Sequence, residues 1–232
     1  MKYLLKIAFI SSLSLLSLGQ PLFIRNLTSK YTNLIPAVLA SDTKTISEIK
    51  TLAKEITVKI VGATQGSGVI YKRDIVYEAK QPDQGYRYEV LTAWHVIKDN
   101  LPGEEISIIT STNNEYIVDI KAAKRIEELD LAVITFSSKE KLQTSNIGGT
   151  GNSSSENIYV GGYPIKKNGE FTFQAGELVG ETDFGEDGYT LLYDANTEPG
   201  MSGGSVLNET GYLIGIHGRG ELDYASSEFR GL

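Results

Sequence analysis

The stretch that decides the fold is Gly200-Met201-Ser202-Gly203-Gly204-Ser205, which lies between two apolar runs of strand character, Tyr189 to Tyr193 and Tyr212 to Ile216. A serine in so glycine-rich a turn is expected to be exposed, with backbone N–H groups beside it. Nucleophilic catalysis needs that combination: a hydroxyl that attacks, and amide donors that hold the oxygen that becomes negative. A glycine-rich hairpin turn without chemistry is the alternative that this stretch alone leaves open.

The first 40 residues have the pattern of an export signal. Lys2 and Lys6 precede a run of apolar residues and serines, Ile7 to Leu18, which is shorter than the roughly 20 residues that span a bilayer. Cleavage is possible after Gly19 or after Ala40. Residues 1–40 hold four basic and no acidic side chains, which leaves 18 basic against 29 acidic ones and a net charge of −11 beyond them. This break favours Ala40 and predicts a secreted or periplasmic protein with no stable membrane span; an uncleaved amphipathic anchor is the alternative.

The composition of the chain excludes several classes of protein. Cysteine is absent from the 232 residues, which excludes disulfides, thiolate metal sites and a cysteine nucleophile. The acidic balance argues against nucleic-acid binding, which depends on a basic surface. Neither a metal nor a cofactor is implied, and nothing indicates the oligomeric state. Only His95 and His217 could supply an imidazole base.

Periodicity divides the chain after residue 40 into a short helix and two sets of strands. Thr45-Ile46-Ser47-Glu48 has capping-box form and precedes apolar residues at helical spacing, so a helix is predicted over 46–54, within a segment 41–55. Short strands follow within 56–136, a polar linker occupies 137–155, and a second set of strands lies within 156–232. Many short strands with little helix predict an all-β barrel or sandwich.

Two side chains could cooperate with Ser202. His95 stands where an apolar strand gives way to a polar segment, so it could face a cleft; a partly buried, hydrogen-bonded histidine is the alternative. Asp130 is flanked by apolar residues, and a buried carboxylate needs a partner, either an imidazole N–H or a backbone cap. A serine hydroxyl needs a base and the base needs a carboxylate, so the order His, Asp, Ser across two β units is a specific pattern.

Five motifs, which cover roughly residues 56–220, together resemble the sequence landmarks of a known protein family. They are Thr92-Ala93-Trp94-His95, Asp130-Leu131-Ala132, Gly162-Tyr163-Pro164, Gly200-Met201-Ser202-Gly203-Gly204 and Ile214-Gly215-Ile216-His217-Gly218. Together they resemble the landmarks of the chymotrypsin/trypsin-like serine peptidases, most closely the bacterial, disulfide-free branch that includes the glutamyl endopeptidases. The resemblance implies two antiparallel six-stranded β-barrels with the active site between them, and cleavage of polypeptide substrates through an acyl-enzyme.

The resemblance also implies a role for each site residue. Ser202 would attack the scissile carbonyl, His95 would act as base and then acid, and Asp130 would orient His95. The backbone N–H groups of Gly200 and Ser202 would form the oxyanion hole.

A primary specificity pocket is implied in the same way. The strand that carries His217 and Gly218 would form one wall and pair with extended substrate, and Thr197 would lie in another. Thr197 and His217 match positions that hold an acidic side chain in glutamyl endopeptidases, so a preference for Glu, and then Asp, before the cut is expected. A purely structural His217 is the alternative, and Glu198 would oppose acidic substrates if its side chain pointed inward.

Three departures from the family pattern favour a second hypothesis, a catalytically weak or inactive protein that binds peptides. Met201 stands where many relatives carry Asp or Asn and cannot form the ion pair that activates trypsin-type zymogens. Trp94 replaces a small residue. Fourteen residues follow Gly218, and Glu221 to Leu232 shows no alternating run, so the second barrel is expected to be incomplete.

Overall fold

The computed structural model describes residues 43–77, 84–149, 156–167, 169–181, 186–223 and 228–231. The export signal predicted in residues 1–40 lies outside this part of the chain. No helix of the described ranges has the length and apolar character to cross a membrane.

Helix α1, Ile46–Ile56, opens the described chain and is two residues longer than predicted. The capping box is present: the Glu48 N–H donates to Thr45 Oγ1, and the Thr45 N–H donates to Glu48 Oε2 at 2.8 Å. These two bonds satisfy backbone donors that a helix start leaves unpaired, so the sequence fixes where α1 begins.

The first sheet contains seven antiparallel strands among the described residues. They are β1 Thr57–Val61, β2 Gln65–Tyr77, β3 Gln84–Thr92, β4 Glu105–Ile109, β5 Glu115–Asp119, β6 Lys124–Arg125 and β7 Ala132–Ser138. Their order across the sheet is β5-β4-β1-β2-β3-β7-β6. The inward-facing residues of the strands enclose an apolar core that includes Ile60, Tyr88, Ile106 and Ile134.

The second sheet repeats this plan with the next seven strands of the described chain. They are β8 Asn157–Gly162, β9 Thr172–Glu181, β10 Leu191–Asn196, β11 Ser205–Asn208, β12 Leu213–Ile216, β13 Gly220–Asp223 and β14 Glu228–Gly231. Their order is β12-β11-β8-β9-β10-β14-β13, so each strand takes the place of the strand seven before it. The two edge strands of each sheet are consecutive in the chain: β5 and β6 in the first sheet, and β12 and β13 in the second. Each of these pairs corresponds to one barrel strand that is interrupted by a short irregular stretch. The predicted all-β fold with two barrels is confirmed.

The C-terminal segment corrects the expectation of an incomplete second barrel. Strand β14 pairs with β10, at Tyr193↔Gly231 and Asn196↔Arg230, and β13 pairs with β14 over four residues. These strands take the positions that β7 and β6 hold in the first sheet. Both strands are held by backbone pairing to a neighbouring strand. Their own sequences show no apolar alternation, so the sequence pattern did not predict them.

Strand β9 runs unbroken over ten residues, Thr172–Glu181, although Gly176 lies in its middle. Gly176 lies so close to β10 that a Cβ there would be 2.7 Å from the backbone nitrogen of Ala195. The glycine permits a close approach of two strands and does not mark a turn.

Helix α1 packs on residues of both sheets. Its buried residues, Ile49, Ala53 and Ile56, form one cluster with Val69 of β2 and with residues of the second sheet. Those residues are Tyr159, Leu207 and Leu213. The helix therefore holds the first and second sheets together on one side of the molecule.

Candidate active site

His95 and Asp130 meet in the first sheet. A short helix α2, Trp94–Ile97, follows β3 directly and carries His95, which the sequence had placed at the end of a strand. Asp130 lies two residues before β7. The ring Nδ1 of His95 is 2.6 Å from Asp130 Oδ2, and the His95 backbone N–H donates to Oδ1 at 2.7 Å. The Asp130 carboxylate therefore contacts both the ring and the backbone N–H of His95, and these two contacts fix the orientation of the ring.

The carboxylate of Asp130 stays ionised near neutral pH. Its side chain is 6% exposed, and that burial alone would raise its pKa. Hydrogen bonds from His95 and from the Tyr189 hydroxyl outweigh the burial, and the pKa lies below its ordinary value of 3.8. A charged acceptor beside the imidazole is what stabilises a protonated ring.

Ser202 follows a tight turn, Glu198 to Met201. The Met201 N–H donates to the Glu198 carbonyl at 3.0 Å, with Pro199 second and Gly200 third in the turn. Gly200 has φ +99°, the left-handed value that a type II turn requires at its third position. A Cβ on Gly200 would also lie 2.7 Å from both Tyr163 O and Ile165 N. Conformation and space therefore both require glycine here.

Strand β2 of the first sheet holds this turn through Ser67. The Ser67 N–H donates to Ser202 O at 2.8 Å, and the Ser67 hydroxyl donates to Gly200 O at 2.8 Å. Ser67 O in turn accepts from the hydroxyl of Thr92 at 2.7 Å. Because Thr92 lies just before α2, the same network connects the serine turn to the segment that carries His95.

The Ser202 hydroxyl donates to Gly218 O at 2.9 Å. Within the described residues no hydrogen bond joins Ser202 to His95, so the structure pairs His95 with Asp130 but not with Ser202. In the same part of the chain the N–H groups of Gly200 and Ser202 have no protein acceptor. Two backbone donors beside the hydroxyl are therefore available to an oxygen of a bound ligand.

The residues predicted to form the specificity pocket are mostly buried. Thr197 and His217 are each 2% exposed, and Nδ1 of His217 lies 2.6 Å from the Tyr193 hydroxyl. Glu198 is paired with Lys167 at 2.8 Å, so its charge is balanced within the protein. Gly218 lies directly against the ring of Tyr189.

The unusual neighbours of the site have structural explanations. Met201 is fully buried and belongs to the core of the second sheet, beside Val160, Tyr193 and Ala195. Trp94 packs against the core of the first sheet, and the guanidinium of Arg125 lies 5.8 Å from its ring centroid. Both large side chains therefore find room within their own sheets.

Three contact residues of the site were not singled out from the sequence: Ser67, Thr92 as a hydrogen-bond donor, and Tyr189. Each acts through a contact across the fold that no local pattern reports. The glycines on either side of Ser67 were the one feature of the sequence that could have identified this residue.

Across the described ranges, no three His, Asp or Glu side chains are grouped closely enough to hold a metal ion.

Sequence comparison places these residues within a known domain. A profile of the trypsin-like peptidase domain matches residues 66–216. The "Serine protease HtrA-like" protein of Staphylococcus aureus (strain USA300) is 32% identical over 164 residues, which are 65% of this chain and 19% of that protein. The chain thus spans about a fifth of the length of this relative.

Solved structures of proteases share the fold. The HtrA-type protease AlgW, determined with a tripeptide, has a TM-score of 0.60 at 20% identity, covering 82% of this chain and 60% of that one. A serine endoprotease from Yersinia pestis has a TM-score of 0.59 at 23% identity, covering 81% and 61%. Since the profile matches well over half of the residues, and the two-sheet architecture agrees with these neighbours, the chain belongs to the family of trypsin-like serine peptidase domains.

Proposed function

We propose that this chain is an exported serine endopeptidase in which Ser202 is the nucleophile, His95 the general base and Asp130 the group that orients His95. The observation that carries the proposal is the 2.6 Å contact between His95 Nδ1 and Asp130 Oδ2, with the Ser202 turn fastened to the neighbouring strand through Ser67. Membership of the peptidase family supports the same reaction.

Catalysis begins with a rotation of the Ser202 side chain about its Cα–Cβ bond. In the described state the hydroxyl donates to Gly218 O, and it must turn to donate to His95 Nε2. Giving up one such hydrogen bond for another costs at most about 1 kcal/mol, which a bound substrate can offset. His95 then accepts the proton while Ser202 Oγ bonds to the scissile carbonyl carbon.

The tetrahedral intermediate carries its negative charge on the former carbonyl oxygen. The N–H groups of Gly200 and Ser202, which have no protein acceptor among the described residues, stabilise that oxyanion, while the Asp130 carboxylate stabilises the imidazolium. His95 next gives its proton to the departing amine, which leaves an acyl-enzyme on Ser202. Water, deprotonated by His95, hydrolyses the ester and restores the hydroxyl.

A preference for Glu, and then Asp, before the cut extends the proposal. The Tyr193 phenol is buried, burial raises its pKa far above the ordinary value, and its oxygen lies 2.6 Å from His217 Nδ1. The resemblance to glutamyl endopeptidases places Thr197 and His217 in the wall of the primary pocket, and a hydroxyl and an imidazole are both able to donate to a carboxylate. The ion pair between Glu198 and Lys167 removes the repulsion that Glu198 would otherwise offer.

A set of peptides that differ only in the residue before the cut tests this preference. Glu should be cleaved faster than its uncharged isostere Gln, and faster than Lys or Leu. Thr197→Val keeps the shape and removes the hydroxyl, so it should narrow the ratio of Glu to Gln in kcat/KM. Cleavage after Lys or Leu that outpaces cleavage after Glu rejects the acidic preference without touching the proposed reaction.

A peptide-binding protein without catalysis is the second candidate. The bond from the Ser202 hydroxyl to Gly218 O, and not to His95, is the observation that favours it. Such a protein would hold extended peptides between the two sheets and leave them uncut.

Labelling with a fluorophosphonate probe separates the two candidates. The enzyme should be labelled in a single position, and Ser202→Ala and His95→Ala should abolish labelling. Ser145→Ala is the matched control, because it removes a buried serine hydroxyl that has no partner among the described residues. Folded wild-type protein that takes up no label, yet binds peptides, favours the second candidate.

The intact mass of the exported protein tests processing after Ala40.

A further inference from the structure

The phenol of Tyr189 reaches from the second half of the chain to a carboxylate of the first. Tyr189 lies two residues before β10, whereas Asp130 lies just before β7. The Tyr189 hydroxyl donates to Asp130 Oδ2, the same oxygen that lies against His95 Nδ1. Asp130 therefore has donors from both sheets, with His95 on one side and Tyr189 on the other.

The segment around Tyr189 is fastened to Asp130 at further points. The Asp130 backbone N–H donates to Asp187 O at 2.8 Å. The side chain of Leu129 packs against Gly188, where a Cβ would lie 2.6 Å from Leu129 Cδ2. Arg219 donates to Asp187 Oδ2 at 3.0 Å, and its guanidinium lies 5.0 Å from the Tyr189 ring centroid. The phenol is thus held from its own side as well as by Asp130.

Gly218 provides the space for this ring. A Cβ on Gly218 would lie 1.9 Å from Tyr189 Cε1 and 2.8 Å from its hydroxyl oxygen, distances at which a side chain cannot fit. The same glycine offers its carbonyl to the Ser202 hydroxyl. Tyr189 therefore fills the space next to the strand that borders the nucleophile.

We propose that Tyr189 is a positioning residue for this active site: its hydroxyl holds the Asp130 carboxylate in the orientation that receives the His95 Nδ1 proton, and Gly218 is the residue that admits its ring. The effect on rate rests on the function proposed above, whereas the effect on the hydrogen bond between His95 and Asp130 does not. Burial, followed by the nearby Asp130 charge, raises the pKa of Tyr189, so the phenol stays a donor over the working pH range.

Loss of the phenol hydroxyl leaves Oδ2 with one protein donor in place of two. The carboxylate can then rotate about its Cβ–Cγ bond. The hydrogen bond from His95 Nδ1–H to Asp130 Oδ2 then lengthens, or the Nδ1–H donates partly to water. The ring is less often in the orientation that accepts the Ser202 proton. The proposed role gives Tyr189 no contact with the substrate, so the loss should fall on kcat and leave KM nearly unchanged.

The test compares Tyr189→Phe with wild type and with Tyr212→Phe. Tyr212 lies in the same half of the chain and is 44% exposed, so its variant also loses one phenol hydroxyl but away from the site. Three quantities are measured: kcat and KM on a cleaved peptide, and the downfield proton resonance of the His95 Nδ1–H. Thermal unfolding of each variant shows that it is folded.

Tyr189→Phe should lower kcat about tenfold, the effect of losing one hydrogen bond to a charged group. Its His95 proton resonance should move or broaden, while Tyr212→Phe keeps both quantities at wild-type values. A Tyr189→Phe protein with wild-type kcat and an unchanged resonance overturns the proposal. If wild type itself cleaves nothing, the proposed reaction has failed, and the proton resonance alone still decides the role of Tyr189.

Gly218→Ala reaches the same ring from the opposite side. Its Cβ pushes the Tyr189 ring away from Asp130 while the hydroxyl remains in the chain. Because Gly218 also contacts Ser202, this variant is judged by the proton resonance and not by rate. A His95 proton resonance that moves or broadens in Gly218→Ala supports the proposal, even where Tyr189→Phe folds too poorly to be measured. An unchanged resonance contradicts the proposal.

Discussion

The hydroxyl of Ser67 donates to the carbonyl oxygen of Gly200 at 2.8 Å, and this bond joins the first sheet to the turn that carries the serine of the second. The same hydroxyl accepts the Tyr163 N–H at 2.9 Å. Ser67 is fully buried, so water cannot replace either bond. One small side chain therefore fixes the peptide unit that lies between the two proposed oxyanion donors, the N–H groups of Gly200 and Ser202.

Ser67→Ala should weaken both folding and catalysis. It leaves the Tyr163 N–H and the Gly200 carbonyl without this partner, which costs about 1–3 kcal/mol of unfolding free energy. Since the turn is held less firmly, kcat should fall more than KM rises. Urea unfolding and steady-state kinetics measure both effects. Ser145→Ala, which removes a buried hydroxyl that has no hydrogen-bond partner in the described part of the chain, should be neutral or stabilising. Equal losses in the two variants would contradict this account.

Gly200→Ala should remove the proposed oxyanion geometry. The left-handed φ and the clash with Tyr163 O and Ile165 N should together cost more than about 2 kcal/mol of stability or force the turn open. Fluorophosphonate labelling should slow at least about 100-fold. Gly180→Ala serves as the control, because a Cβ there would meet no atom of the described residues within 4 Å and no left-handed φ is involved. Fast labelling of a stable Gly200→Ala protein would argue against the turn as the oxyanion site.

Asp130 should make stability depend on pH in the acid range. Its folded-state pKa lies below the ordinary value of 3.8, so its contribution is fully present above 3.8 and is lost as pH falls through the lower folded value. His95 and Tyr189 face the carboxylate, and Arg219 and Asp187 lie beside Tyr189. The difference in unfolding free energy between wild type and Asp130→Asn, measured by urea at a series of pH values, should shrink below pH 3.8. A difference that stays constant to the lowest pH at which the protein folds would contradict the assignment.

Helix α1 should be essential to the fold through one face only. Ile49 is fully buried and Ile46 is 59% exposed on the same helix. Ile49→Ala should cost about 2–5 kcal/mol, because it leaves a cavity against Leu207 and Leu213, whereas Ile46→Ala should stay within about 0.5 kcal/mol. Chemical denaturation of the matched pair measures the contrast. Comparable losses would mean that the helix packs differently.

The sequence predicted the parts of the fold that local chemistry determines. The capping box at Thr45 predicts the start of α1, and the glycines around Ser202 predict the turn without reference to any other segment. His95 and Asp130 are candidates because each stands at the boundary of an apolar strand. Their 2.6 Å contact then follows from the pairing of β3 with β7, which brings Thr92 opposite Ala132.

What the sequence could not predict depends on contacts between distant segments. Tyr189 shows no pattern of its own, and its hydroxyl matters only because the second sheet brings it to Asp130. The strands β13 and β14 were missed because β14 is held by pairing with β10 and β13 by pairing with β14, and no alternation marks either strand. The bond from the Ser202 hydroxyl to Gly218 O depends on a side-chain rotation that no sequence pattern encodes.

The packing of α1 has a consequence for how the protein is made. Synthesis proceeds from the N-terminus, so Ile49 leaves the ribosome long before Leu207 and Leu213, against which it is buried. Until β11 and β12, which carry these two leucines, have emerged, the apolar face of the helix stays exposed to other apolar surfaces. A chaperone that shields nascent chains should therefore raise the yield of native wild-type protein.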